Sequence, residues 1–356
     1  MSTLKFSGNN SAFYIDLKQR VHQYFDEHKL SIHGGNKAVV KVVVLIGTFF
    51  ALYALLAFHQ LPILWSWALC IPFAFVTAGI GFNIMHDGAH GSLSSHHFLN
   101  RMAALSLNML GASSFMWNIK HNVIHHTFTN VEEHDDDLLN QPLFRMSPSQ
   151  RRYKIHRFQH LYWPIGYGLV YVAWIFLLDI RKYFNRQIAS REQIKIPVST
   201  HIGFWATKLI YILCFVVLPL QFYSFSEWLI GYLTYTITTG IIISVVFQLA
   251  HTVESTTFIQ PESNSGVIAD DWASHQVKTT ANFATQNPAI TWFVGGLNFQ
   301  VEHHLFPRIS HVHYPALSSI VSDTCRKHGL NYLNQSTFRG AVQSHIRFLH
   351  RLGTQG

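Results

Sequence analysis

The sequence predicts an all-α integral-membrane fold: four transmembrane helices in two hairpins, with a cytosolic helical cap. Three observations carry this. Of 356 residues, 49% are hydrophobic and only 12% charged, against about 25% charged in an ordinary soluble domain. No Lys or Arg occurs from Val42 to Asn100 or between Lys208 and Lys278. Every basic residue falls in the segments 1–41, 101–208 and 278–356.

Residues 1–41 open with the polar, mixed MSTLKFSGNN and show no apolar stretch ending in a small-residue cleavage site, so they are expected to form a cytosolic N-terminal segment. Two apolar runs follow, Val42 to Phe58 and Leu61 to Met85, separated by His59 and Gln60. Each is long enough to cross about 30 Å of hydrocarbon, which makes the first hairpin. A second hairpin is expected from Leu209 to Tyr223 and Trp228 to Ala250 around the connection SFSE. The predicted spans are therefore about 42–58, 61–85, 209–223 and 228–250, within one membrane domain covering 42–356. A basic residue at a helix centre costs about 2.5–3.5 kcal/mol, and basic loops stay on the cytoplasmic side. That places the three basic segments in the cytoplasm and the hairpin turns across a membrane, expected to be the inner, cytoplasmic one.

Leu161 to Ile180 is also long enough to span, but it holds Pro164, two Gly and five Tyr or Trp. One extra crossing would put the histidines of the two halves on opposite faces, so this stretch is expected to lie in the interface with an aromatic belt. Ala103 to Trp117 is read the same way. No internal repeat or low-complexity tract divides the chain.

Histidine, with 24 copies, outnumbers the 18 acidic residues, and imidazole is the commonest side-chain ligand for transition metals. Cys70, Cys214 and Cys325 form no CxxC pair, which excludes iron–sulfur, zinc-ribbon and covalent haem motifs. The net charge of +8 suits anionic headgroups or an acidic protein partner, or simply positive-inside loops. No nucleic-acid partner is expected.

Three clusters stand out. His86 and His90 close HDGAH where the second span ends, and i, i+4 spacing puts their Cβ atoms about 5–6 Å apart on one helix face. His121, His125 and His126 repeat that spacing with an adjacent ring, in HNVIHH. His303 and His304 end QVEHH, after Gly295 and Gly296. One such cluster arises by chance in a histidine-rich chain. Three on the side chosen independently by charge point to metal ligation. Seven imidazoles exceed the four ligands of one zinc. Two irons fit a nitrogen-rich set, and copper fits imidazole too. His251, at the cytoplasmic end of the fourth span, is the expected eighth ligand, and Gln248 one turn earlier is expected to orient an imidazole. His134 to Asp137 is expected to be a solvated face or a network behind the ligands. The pairs His96, His97 and His311, His313 are expected to be structural. A metal transporter would need ionisable residues inside its spans, and only His59 and Glu227, both at turns, occur there.

HDGAH, HNVIHH and QVEHH, together with HHTFTN at 125–130 and NFQVEHHLFP at 298–307, resemble the membrane fatty acid desaturase family. Gln300 at the head of the third box is similar to the front-end acyl desaturases, the Δ6 and Δ5 enzymes among them. Over residues 40–320 the resemblance implies a mushroom-shaped fold of four spans under a cytosolic cap. It implies two irons with O2 as co-substrate, Gln300 meeting iron directly or through water, and removal of two vicinal hydrogens from an acyl chain carried on CoA or on a membrane lipid. Many relatives carry a fused cytochrome b5 domain. Here only His33-Gly34-Gly35 occurs in a short terminus, so a separate electron donor of ferredoxin or cytochrome b5 type is expected. The alternative on the same scaffold is a di-iron hydroxylase or ketolase of alkyl or lipid substrates.

Overall fold

Uncharged runs become long helices because in lipid every backbone N–H and C=O must be paired within the chain. The computed structural model describes residues 4–8, 11–139, 142–189, 191–260 and 266–355. Among these, five helices are long and apolar enough to cross a membrane: Gly35–Ala57, Ile63–His90, Lys154–Asn185, Val198–Gln221 and Phe225–His251. Four of them overlap the four predicted spans: Phe225–His251 contains 228–250, and the other three miss one or two residues at the end of each span next to the hairpin turn. Lys154–Asn185 contains the stretch expected in the interface. The sheets among the described residues are two parallel pairs, Lys5–Phe6 with Val267–Ile268 and Asn282–Phe283 with Asn334–Gln335.

The chain divides into two compact units. One comprises residues 35–119 and 163–245, and the other 1–34, 120–162 and 246–356. We refer to them as the span unit and the histidine unit.

The span unit is cored by aromatic and aliphatic side chains, among them Phe49, Phe73, Ile80, Tyr171, Tyr211, Phe215 and Tyr235. Its helix Ile63–Ile80 passes through a π-helical turn, Gly81–Met85, into His86–His90. Gly91, at φ +73°, stops it in a left-handed conformation that costs glycine little. The helix His97–Met109 packs so near that a Cβ on Gly88 would lie 2.5 Å from Ala103 Cβ and 2.7 Å from the Ala104 nitrogen. The glycine within HDGAH is therefore required by this close approach. A buried ion pair ties three segments of the unit: Lys208 Nζ donates to the Gly111 carbonyl (2.8 Å) and to Asp179 (3.0 Å), and Asp179 also accepts from the Ser113 N–H (2.7 Å).

The histidine unit begins with the amphipathic helix Ala12–Glu27, capped by Ser11. Phe13, Leu17, Val21 and Phe25, four residues apart, form one apolar stripe. The stripe packs in a core with Phe299, Val301, Leu305, Leu317 and Val321. Asp16 fixes it from the outside by pairing with Arg20, Lys327 and His328. The N-terminal helix packs on Tyr314–Lys327 and shares this core with the short helix Gln300–Leu305, which carries the third box.

Burial sets the acid sensitivity of this unit. Desolvation lowers His275 and His345 to about 4. A buried neutral His stabilises the fold above its unfolded pKa of about 6.5, and that contribution is lost as pH falls through the folded value. Each group is expected to cost on the order of 3 kcal/mol between pH 6.5 and 4. The check is the thermal midpoint against pH: the double variant His275→Asn/His345→Asn should show a shallower slope than wild type between pH 6.5 and 4.

Candidate metal centre

The second box lies in a stretch, Ile119–His125, that is π-helical. On an α-helix HNVIHH would pair His121 with His125. A π turn, closed by i→i+5 bonds, also brings residue i+5 onto the same face. His121 accordingly meets His126, with ring centroids 4.7 Å apart and the two Nε2 atoms 3.2 Å apart, while His121 and His125 lie 5.3 Å apart. In the third box, His303 and His304, consecutive on Gln300–Leu305, stand edge to face, with ring centroids 5.4 Å apart and rings at 84°. His251 is the last residue of Phe225–His251.

These elements bring six of the eight expected ligands together in the histidine unit. His304 stands 4.4 Å from His126, 4.9 Å from His251 and 5.0 Å from His125, ring to ring. His303 lies 4.6 Å from His126. Two overlapping groups result, His125 with His251 and His304, and His126 with His303 and His304, each offering nitrogens within 4.8 Å of one another. All six imidazoles are buried. His86 and His90 belong to the span unit, where i, i+4 spacing holds their rings 4.7 Å apart with Trp117 against both.

In four of the six rings Nδ1 faces a partner of its own. Asp135 accepts from His125 Nδ1 at 3.0 and 3.2 Å. Gln276 Oε1 accepts from His304 Nδ1 at 2.9 Å. The Tyr314 hydroxyl is 3.1 Å from His303 Nδ1, and the Thr279 carbonyl is 3.5 Å from His251 Nδ1. Such partners fix tautomer and ring direction and leave Nε2 as the donor atom. The Nε2 atoms of His125 and His251 are buried and meet no hydrogen-bond partner among the described residues. A buried polar atom left so costs about 1–3 kcal/mol, which a metal would offset. The 3.2 Å between His121 and His126 Nε2 also suits neighbouring ligands of one ion, about 3.0 Å apart for bonds near 2.1 Å. The residues present therefore fit a pair of imidazole-ligated metal ions.

The residues behind the imidazoles come from several segments. Asp135 is buried and takes the N–H groups of Asn130 (3.0 Å) and Asp137 (3.1 Å) as well as the imidazole. Burial opposes a charge on His125, but Asp135 and Asp137 outweigh it and hold its pKa raised. The stretch 134–137 thus contains the carboxylate that orients the His125 ring, with Asp137 Oδ2 3.4 Å from the same Nδ1. Lys120 bridges Asp136 and Asp137. Thr129 and Asn130 give HHTFTN a physical role. Thr129 Oγ1 donates to the His125 carbonyl (2.6 Å) and lies 2.9 Å from Gln276 Oε1. Asn130, at φ +54°, donates to the carbonyls of His251, Thr257 and Thr279. Gln300 is buried at the head of its helix, and Gln248 Oε1 accepts from Thr252 Oγ1. Burial raises Glu302 to about 7, and its carboxylate accepts from Tyr332 (2.6 Å) and Asn282 (2.8 Å), anchoring QVEHH to the rest of the unit. His311 is buried, and His313 meets the His33 carbonyl at 3.3 Å.

Gln276, Tyr314 and Asp135 carry no motif that singles them out in the sequence. Position alone signals the last, ten residues after His125 in an acidic run.

A sequence-family model described as fatty acid desaturase matches residues 62–336. The chain is 38% identical over 347 residues to an sn-1 linoleoyl-lipid 6-desaturase of Synechocystis sp., covering 95% of this chain and 94% of the relative. It is 34% identical over 352 residues to one of that description from Arthrospira platensis, covering 97% and 94%. An acyl-lipid (8-3)-desaturase of Physcomitrium patens is 35% identical over 362 residues, covering 99% of this chain and 74% of the relative.

Proposed function

The chain belongs to the fatty acid desaturase family, and from that premise we propose that His86, His90, His121, His125, His126, His251, His303 and His304 hold two irons. It is an integral-membrane oxidoreductase of the front-end fatty acid desaturase type. The observation that carries the proposal is the pair of overlapping groups of buried imidazoles meeting at His304. When bound, the irons supply redox chemistry with O2 as co-substrate, by which two vicinal hydrogens leave an acyl chain as a double bond forms.

The protein's own residues do the rest. Asp135, Gln276 and Tyr314 aim the rings of His125, His304 and His303. Burial of all six rings keeps bulk water from the donors. Gln300 we assign to iron, directly or through water, and Gln248 to the support of His251 through Thr252. The substrate we propose is an acyl chain esterified in a membrane lipid, desaturated at carbon 6, in line with what the Synechocystis and Arthrospira relatives are described as acting on. Methylenes are chemically alike, so that position must be set by distance from an anchored carboxyl end. Electrons come, by this proposal, from a separate ferredoxin or cytochrome b5 type donor.

Four crossings with the histidine unit in the cytoplasm complete the proposal. Residues 121–126 and 303–304 share one unit, with His126 and His304 4.4 Å apart. An even number of the three long apolar helices between them must therefore cross, and the aromatic-rich, Pro164-containing Lys154–Asn185 is the one assigned to the interface.

Expression in a host that makes no lipid unsaturated at carbon 6, supplied with linoleate, tests this. The expected product is a new double bond at carbon 6 in lipid-esterified chains, located by mass spectrometry. A hydroxylated product, or unsaturation confined to acyl-CoA, would contradict it.

A further inference from the structure

An imidazole turns about χ2 in a broad, roughly two-fold well, so the direction of its nitrogens is set by what packs against the ring. In the first box both rings pack against Trp117. Its indole stands edge to face with His86 (5.9 Å, 72°) and with His90 (6.3 Å, 76°). It belongs to a cluster with Met85, Leu107 and Ala112, on which Ala89 and Trp174 also pack. A shift of this one indole would therefore disturb both rings together.

Trp117 sits on the short helix Ser114–Asn118, and Asp179 fixes that helix with both carboxylate oxygens. Oδ2 accepts from the Ser113 N–H (2.7 Å) and from Lys208 Nζ (3.0 Å), and Oδ1 accepts from Trp174 Nε1 (3.0 Å). Ser113 is the N-cap of the helix, where its hydroxyl accepts from the Met116 N–H (3.4 Å). One carboxylate thus holds Trp117 in two ways, through the start of its helix and through a second indole packed on its cluster. Lys208 ties the same turn by donating to the Gly111 carbonyl (2.8 Å). Gly111 takes φ +90° there, and a Cβ on it would lie 2.5 Å from Tyr211 Cδ2. Asp179 and Lys208 are 1% and 5% exposed. A buried ion pair is often no more stabilising than apolar residues of the same volume, and its best-attested use is to fix one arrangement.

We propose that Asp179 is a positioning residue for His86 and His90, acting through Trp117 with Lys208 as its counter-charge. All of these residues belong to the span unit. The inference rests on the assignment of His86 and His90 to iron.

A double-mutant cycle read as iron affinity, by chelator competition on the purified full-length protein, tests it. Asp179→Asn leaves one accepting oxygen where two are used, and should weaken iron binding about tenfold, the lower end of the loss on changing a residue behind a ligand. Trp117→Leu should weaken it at least as much. In the Trp117→Leu background Asp179→Asn should have no further effect, because effects that act through one side chain do not add. Phe49→Ala, a core truncation elsewhere in the unit, should lower the thermal midpoint and leave iron affinity unchanged. If Asp179→Asn fails to fold, with Lys208 left without its counter-charge, Trp174→Phe carries the same cycle. It removes only the Nε1 bond, and should cost about two- to tenfold in affinity, the worth of one hydrogen bond. A wild type that binds no iron overturns the ligand assignment itself. Equal affinity in wild type and the folded variant, additive losses in the cycle, or the same loss in Phe49→Ala overturns this proposal alone.

Discussion

His304→Ala is expected to abolish new unsaturation, by at least two orders of magnitude, while the chain still inserts into the membrane. His304 is the ring shared by both nitrogen groups, within 5.0 Å of His125, His126 and His251. Its removal takes one donor from each group, more than the 10–100-fold usually lost when only a residue behind a ligand is changed. Insertion depends on the uncharged apolar runs, which the substitution leaves intact. Fatty acid profiling alongside membrane fractionation makes the check. Unchanged unsaturation in an inserted variant would mean that the overlapping groups are not the reaction centre.

Asp135→Asn is expected to weaken metal binding by 10–100-fold, the usual cost of removing the carboxylate behind a ligating imidazole. Both oxygens of Asp135 act as acceptors, towards His125 Nδ1 and the N–H groups of Asn130 and Asp137. An amide turns one of those oxygens into a donor and sets it against a donor. It also removes the charge that keeps the His125 pKa raised. Chelator competition on the purified protein reads the affinity directly, with Asp323→Asn, in the exposed ion pair with Arg326, as the control that should match wild type. Equal affinity in Asp135→Asn would remove this carboxylate from the account.

Much of the site was legible in the sequence because two periodic signals were strong. Runs free of Lys and Arg mark the long helices, and HxxxH marks rings that meet on one face, as His86 and His90 do at 4.7 Å. His251 has a positional signal: it ends an apolar run as His86 nearly ends another. The partners behind the rings were hidden. Gln276 reaches His304 across 28 residues, and Tyr314 reaches His303 from a different helix, so neither has a spacing signature. The π turn at Ile119–His125 was equally invisible, because the same letters fit an α-helix and the pairing of His121 with His126 follows only from the extra residue per turn. In the fold, Lys154–Asn185 is one helix of 32 residues. Apolar length reveals the helix, but its orientation depends on where His126 and His304 end up. The N-terminal helix is masked for the opposite reason: its stripe of Phe13, Leu17, Val21 and Phe25 is regular, but it sits in a segment that is polar as a whole.

The central claim is that imidazoles from distant parts of the chain hold two irons. Elemental analysis of the purified, full-length protein, with X-ray absorption at the iron edge, tests it most directly. Two irons per chain in a nitrogen-rich coordination shell is the expected result, and a protein that binds zinc alone, or no iron, would contradict it.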